Sequence, residues 1–201
     1  VGGGGVWGAV FAELHRSALL QGAGRWREAR RSRRRAAELD AASADHLHRG
    51  GVLAHSYFDR LLDHDLAGAS VALLEALEVD TAEGKTANRP FFLLRLAMVE
   101  LDRGVLGEAE RRAGEALASA RGADGRRLVE PTCAYVLAVV AMERGEVGAG
   151  MELARSARAL GSPRETQLLE ALIGYGAARL GEQVPGPPES AEDDVLSPGV
   201  V

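Results

Sequence analysis

The chain of 201 residues is poor in several residue types, and each scarcity excludes a class of protein. It has one cysteine, Cys133, which excludes an internal disulfide framework and a multi-cysteine zinc site. A reduced cytoplasmic location is therefore expected. Aromatic residues make up only 4% of the chain, so we expect a core of Leu, Ala and Val. Lysine, isoleucine and asparagine occur once each, as Lys85, Ile173 and Asn88, which is typical of a high-GC bacterial genome.

Positive charge and long apolar runs are also lacking. The net charge is -5, whereas a nucleic-acid-binding domain is usually basic. The longest uncharged runs, Val1–Ala12 and Pro131–Met142, contain 12 residues each, and a membrane-spanning helix needs roughly 20. No basic residue precedes the first apolar stretch, so no secretory signal is predicted. We expect no membrane span and no direct binding of nucleic acid by the chain as a whole.

What the chain does contain is an internal repeat. Four segments that resemble turns are each followed, twelve residues after their first position, by an alanine. The segments start at Gly24, His64, Gly104 and Gly145, and the alanines are Ala36, Ala76, Ala116 and Ala157. The alanines are therefore 40, 40 and 41 residues apart. Such a period predicts repeated structural units that stack on one another.

Each unit is predicted to be a pair of helices. In the third unit the first helix covers Pro90–Arg103 and the second begins at about Leu106, with the glycine turn between them. Glu130-Pro131 is expected to open a later first helix, because proline favours the first turn. Ser162-Pro-Arg-Glu165 is a capping box and predicts the start of a closing helix. No segment shows the strict alternation of a strand.

These residues resemble a known family. The pattern Leu96-Ala97…Gly104…Ala109…Ala116 resembles the tetratricopeptide repeat, and Leu137-Ala138…Gly145…Ala157 fits the same frame. The longer period and the Arg- and Ala-rich helices are similar to the helical sensor arm of large ATP-dependent LuxR-type bacterial transcriptional regulators. The resemblance implies an all-α, right-handed superhelical solenoid of about four helix-turn-helix repeats with period 40–41, plus the closing helix Pro163–Leu180.

Three regions follow from composition and repeat pattern. Residues 1–9 are a flexible glycine-rich N-terminus, and residues 10–182 are the tetratricopeptide-like domain. Residues 183–201 are rich in Pro and acidic side chains and lack the apolar content for a core, so a disordered tail is predicted. Gly3-x-Gly5-x-x-Gly8 matches a dinucleotide fingerprint, but too few residues precede it to form the required strand.

The first helices of a solenoid line its concave groove, and in the tetratricopeptide frame six large side chains fall on or near that groove. The predicted partner-binding residues are Phe58, Met98, Tyr135, Val139, Met142 and Tyr175. An apolar groove of this kind accepts an amphipathic helix or an extended peptide. The same side chains could instead be core, and the sequence leaves both readings open.

A second candidate surface is the segment Arg25–Arg35, which carries seven arginines in eleven residues. It could bind phosphates or an acidic partner, with Trp26 as a stacking platform. The electrostatic patch is predicted at Arg27, Arg30, Arg31 and Arg34. A solvated helix face is the alternative, although Arg33 falls where the family usually has a large apolar residue.

A third candidate is the region His46–His64, where a small molecule or a metal could bind. His55 and Asp59 are four residues apart and share a helix face, but no third ligand is fixed. Gly50-Gly51 is expected to interrupt a helix here. Cys133 lies in an apolar segment without a nearby histidine, so nucleophilic catalysis is not expected. We predict no metal, no cofactor and no enzymatic activity.

The preferred hypothesis is a non-catalytic interaction scaffold that binds a peptide or helix of a partner protein. By resemblance it would be a regulatory or sensor module of a bacterial transcriptional regulator. The sequence leaves self-association open.

Overall fold

The computed structural model describes residues 3–43, 46 and 48–182. These residues form nine α-helices and no β-strand, which confirms the all-α class. The helices are α1 Gly3–Gly22, α2 Trp26–Ala41, α3 Arg49–Leu62, α4 Leu66–Ala82, α5 Arg89–Asp102, α6 Leu106–Ser119, α7 Gly122–Glu143, α8 Val147–Arg158 and α9 Pro163–Arg179. The tail predicted over residues 183–201 lies outside the described part of the chain.

The helices pack in the order of the sequence. α1 packs on α2, α3 on α4, α5 on α6 and α7 on α8, and α9 packs on both α8 and α7. Neighbouring pairs meet through α2 and α3, α4 and α5, and α6 and α7. First helices also touch one another, α1 with α3 and α5 with α7. Each helix is therefore stabilised mainly by its neighbours along the chain, as the repeat pattern predicts.

The turn within each pair needs a left-handed residue. Gly24, Gly104 and Gly145 have φ values of 72, 74 and 89°, at the positions where the sequence pattern predicts tight turns. Glycine adopts this conformation without a steric penalty. In the second pair His64 takes the same role with φ 57°, which is uncommon for a residue with a side chain.

The repeated alanines lie at the contact between the two helices of a pair. Ala36, Ala76 and Ala116 are fully buried, and Ala157 is buried as well. A methyl group is small enough to let the partner helix approach closely, so the alanine spacing records the helix contact rather than a propensity alone.

A second contact recurs with the same period and joins one pair to the next. It connects the middle of a second helix with the C-terminal end of the following first helix. The contacts pair Arg30 with Asp63 (2.8 Å), Ser70 with Arg103 (3.4 Å) and Glu110 with Arg144 (2.7 Å). The chemistry changes from pair to pair while the geometry is retained, and this recurrence supports the register of 40–41 residues.

Three local predictions differ from the structure. α1 begins at Gly3, inside the segment predicted to be flexible. Gly50 does not interrupt α3: it is buried, and a Cβ there would lie 2.0 Å from the Asp80 carboxylate of α4, so the glycine permits close packing within the helix. α7 begins at Gly122 and continues through Pro131, which removes one backbone hydrogen bond but does not end the helix. The capping box at Ser162 is formed.

Candidate functional site

Four of the six predicted groove residues are partly buried. Phe58, Met98 and Tyr135, on α3, α5 and α7, each pack against the main core with one side and keep some solvent exposure. Val139 on α7 is also partly exposed. Such half-buried side chains at matched positions of successive first helices form an apolar surface rather than a closed core.

The last helices differ. Tyr175 on α9 is 50% exposed, with the Arg179 guanidinium 5.8 Å from its ring centre. Met142 is only 1% exposed, so the prediction that it lines an open groove is not met. Its side chain fills the space left by two glycines: a Cβ at Gly150 would lie 2.6 Å from Met142 Cγ, and one at Gly176 would lie 3.0 Å from Met142 Cε. Met142 belongs to the core between α7, α8 and α9.

A cleft of about 400 Å³ opens where the first three helix pairs meet. α1 contributes Ala18, Gln21 and Gly22, the following turn contributes Gly24, α2 contributes Trp26, α3 contributes His55 and Phe58, and α5 contributes Arg95. We call this site the Arg95 cleft. Its lining combines aromatic rings, an imidazole, an amide and a guanidinium, and it contains no carboxylate.

Arg95 is held in the cleft by aromatic rings. Its guanidinium carbon lies 5.3 Å from the ring centre of Tyr57 and 5.1 Å from that of Phe58. Among the described residues it forms no ion pair. Stacking fixes the plane of a guanidinium while its N–H groups remain available, so Arg95 is prepared to bind an anion.

His55 faces the same cleft and carries no charge at neutral pH. Burial lowers its pKa to about 4, and the positive charges of Arg95 and Arg33 and the nearby His15 add to the effect. Its Nδ1 lies 3.4 Å from Ser17 Oγ on α1. A neutral imidazole contributes polar contacts without adding repulsion to a bound cation-free ligand.

The arginine-rich helix α2 divides into two groups. Arg33, only 4% exposed, donates from Nε to Asp59 Oδ1 at 3.0 Å, and Arg30 donates to both Asp59 (3.3 Å) and Asp63 (2.8 Å). These two arginines join α2 to α3. Arg30 is therefore engaged in structural ion pairs, which corrects its assignment to an electrostatic patch.

The other predicted patch residues, Arg27, Arg31 and Arg34, are exposed on α2. Arg31 shares a shallow cleft with Glu13 and Glu28, so its charge has acidic neighbours. The exposed arginines thus lie on a surface of mixed charge.

The histidines of the region His46–His64 do not converge. His46 points its Nδ1 at the Asp40 carbonyl (3.0 Å), His48 lies against the ring of Trp7 at 5.4 Å, and His55 faces the Arg95 cleft. Within residues 3–43, 46 and 48–182, no three His, Cys, Asp or Glu side chains come together in a way that could hold a metal ion.

Cys133 is fully buried in α7. Burial, with a smaller effect of Glu130, raises the pKa of its thiol to about 12. The thiolate is the reactive form of cysteine, so this side chain is unreactive at neutral pH.

Arg95, Gln21 and the cleft role of His55 were missed by the sequence interpretation. The repeat carries a signal for two of them, because His15, His55 and Arg95 are spaced by 40 residues, as are Ala18, Phe58 and Met98. A basic or imidazole side chain beside the groove position in successive units marks one surface. Trp26 carries no such periodic signal, since it stands next to the turn.

No family model, curated protein or solved structure matches the chain. None of the helices in the described part of the chain is long and apolar enough to cross a membrane. Function must therefore be argued from the geometry of the helices themselves.

Proposed function

We propose that the protein is a non-catalytic interaction scaffold that binds a peptide or helix of a partner protein along its first helices. In this proposal the helix pairs form a right-handed superhelical solenoid of about four repeats closed by α9. The packing of each pair on the next and the recurrent contacts of α2, α4 and α6 support that arrangement.

The observation that carries the proposal is the series of half-buried apolar side chains on α3, α5 and α7. Phe58, Met98 and Tyr135 have one side anchored in the core and the other available to a ligand. Side chains held in this way lose little conformational entropy on binding, which is typical of interaction hot spots. Other exposed aromatic side chains on α1 extend the surface, because Trp7 and Phe11 are stacked with ring centres 5.9 Å apart.

The role of a regulatory or sensor module in a bacterial transcriptional regulator, and a cytoplasmic location, depend on the resemblance to the tetratricopeptide frame. An apolar groove on a chain without a predicted catalytic group is consistent with such a module. The proposal does not require a cofactor or a metal.

A peptide display library, selected on the purified full-length chain, tests the proposal directly. Selected peptides should bind the wild-type chain in solution, and Met98→Ala and Tyr135→Ala should weaken binding about tenfold or more. Leu117→Ala is the matched control, because Leu117 packs partly buried against the same core from the second helix α6. The variant should lose comparable stability but retain binding.

Two results would contradict the proposal. One is failure to select any peptide that binds the chain in solution. The other is equal weakening by Leu117→Ala and Tyr135→Ala, which would mean that binding follows stability rather than contact with the groove.

A further inference from the structure

The Arg95 cleft differs from the other clefts of the molecule in charge. A cleft beside α2 is lined by Glu13 and Glu28 together with arginines, and a cleft between α7 and α9 is lined by Asp124 and Glu165 with one arginine. In both, acidic side chains offset the basic ones. The Arg95 cleft has a guanidinium and no acid, so its composition favours an anion.

The hydrogen-bonding groups of the cleft are mostly donors. Arg95 contributes its N–H groups, and its plane is fixed by Tyr57 and Phe58. The Gln21 carbonyl oxygen already accepts from Arg33 at 3.5 Å, which leaves the amide N–H₂ of Gln21 for a ligand. The planar fork of a guanidinium matches the two oxygens of a carboxylate.

The walls of the cleft are aromatic. Phe58 is partly buried, and Trp26 is 43% exposed at the mouth of the cleft. Scarce aromatic residues are thus concentrated beside an arginine without an ion-pair partner. A volume of about 400 Å³ lies within the range of small-molecule sites, and flat apolar groups pack well against aromatic rings.

We propose that the Arg95 cleft is a binding site for a small aromatic carboxylate, with the carboxylate on Arg95 and Gln21 and the ring against Trp26 and Phe58. The site is distinct from the peptide groove and does not depend on the proposed scaffold function. A ligand held between α1, α2, α3 and α5 would bridge the first three helix pairs, so its binding would also stiffen their arrangement.

Two probes of the same shape test the charge requirement: phenylacetate and its neutral amide, phenylacetamide. Binding to the full-length chain is followed through Trp26 fluorescence in a Trp7→Phe background at pH 7.5. We expect phenylacetate to bind with a millimolar or lower Kd and phenylacetamide to bind about tenfold more weakly. Arg95→Gln should abolish the difference, and Arg89→Gln, on the same helix but outside the cleft, should preserve it.

A change in melting temperature supplies a second readout, since a ligand that binds only the folded chain stabilises it. Equal affinity for the acid and the amide, or selectivity that survives Arg95→Gln, would overturn the proposal. So would the absence of binding by both probes. A peptide arm distinguishes the source of the carboxylate: if acetyl-Phe-Glu-amide binds tenfold more tightly than phenylacetate, the site serves a peptide side chain and the small-molecule assignment is wrong.

Failure of this experiment and failure of the scaffold proposal are distinguishable. Peptide selection depends on Met98 and Tyr135, whereas the probe pair depends on Arg95. Selected peptides that need Tyr135, together with probes that do not bind, would leave the scaffold and remove the carboxylate site. The converse result would leave only the small-molecule site.

Discussion

The junction of α2 with α3 and the junction of α7, α8 and α9 join helix pairs at opposite ends of the described chain, and they do so by different physical means. At the first, buried Arg33 is neutralised by Asp59, and Arg30 binds the same carboxylate. At the second, Met142 and Met151 fill spaces that exist only because Gly150 and Gly176 lack a Cβ. Ionic contacts leave room for a cleft at the first junction, whereas close packing closes the second.

The comparison explains why equivalent positions differ in function. Phe58 and Met142 both lie in the C-terminal half of a first helix, yet Phe58 borders a cleft and Met142 is core. A partner helix with glycine at the contact approaches more closely and covers the side chain. The identity of the residue at the facing position, more than the groove residue itself, decides whether an apolar side chain is exposed.

The largest effect is expected from removing the carboxylate that neutralises Arg33. Asp59→Asn leaves a guanidinium in a buried position without a compensating charge and should destabilise the fold by about 3 kcal/mol. Asp63→Asn is the control, because Asp63 also binds Arg30 but its side chain is 59% exposed, and it should cost about 0.5 kcal/mol. Urea unfolding measures both. Equal effects would show that the first junction does not depend on a buried charge.

The acid sensitivity of the cleft gives an effect of up to about 3 kcal/mol. Because the folded-state pKa of His55 is lowered from 6.5 to about 4, the unfolded chain binds a proton first as the pH falls. Stability conferred by the neutral imidazole is complete above pH 6.5 and is lost progressively as the pH falls toward 4.

A matched pair of histidine variants isolates this contribution. Unfolding free energies of the wild type and His55→Gln, measured between pH 7 and 4, should converge as the pH falls. His64→Gln, at an exposed turn, should keep the slope of the wild type. A His55→Gln slope that is identical to the wild-type slope would show that the imidazole is accessible to protons in the folded chain.

The second junction should be sensitive to a single methyl group. Gly150→Ala places a Cβ 2.7 Å from the Ala138 carbonyl oxygen, and because that atom is backbone, α8 must move, at a cost of about 1–3 kcal/mol. Gly114→Ala in α6 is the control: nothing lies within 4 Å of its Cβ, and alanine should stabilise that helix by about 0.5–1 kcal/mol. Thermal melts that shift in the same direction for both variants would contradict the packing difference.

The extent to which the sequence predicts the fold follows from what repeats. Helix pairs, turns and the alanine contact recur every 40–41 residues, so Gly104, Ala116 and the bounds of α6 are predicted from the chain alone. The helix bounds of α7 are not, because Pro131 reads as a start signal although tertiary contacts hold it inside a helix. Local signals decide boundaries only where packing does not compete with them.

The candidate site is less predictable because it arises between units. Phe58 and Met98 follow from the groove position, but the Arg95 cleft needs residues from α1, α2, α3 and α5. Whether an arginine is free to bind a ligand depends on what lies opposite it: Arg33 meets Asp59 and is structural, and Arg95 meets aromatic rings. No local pattern in the sequence distinguishes those two environments.

The smallest effect is expected on the exposed face of α2. The triple variant Arg27→Gln, Arg31→Gln, Arg34→Gln removes three solvated charges and should change stability by less than about 0.5 kcal/mol per site. Phenylacetate binding and peptide binding should be unchanged, since neither site includes these residues. Binding of a single-stranded oligonucleotide, titrated from 50 to 200 mM salt, is the decisive measurement. If the wild type binds the oligonucleotide and the triple variant binds less tightly with a weaker dependence on salt, the arginines contact phosphates, and the functional surface of the first helix pair would be α2 rather than the cleft beside it.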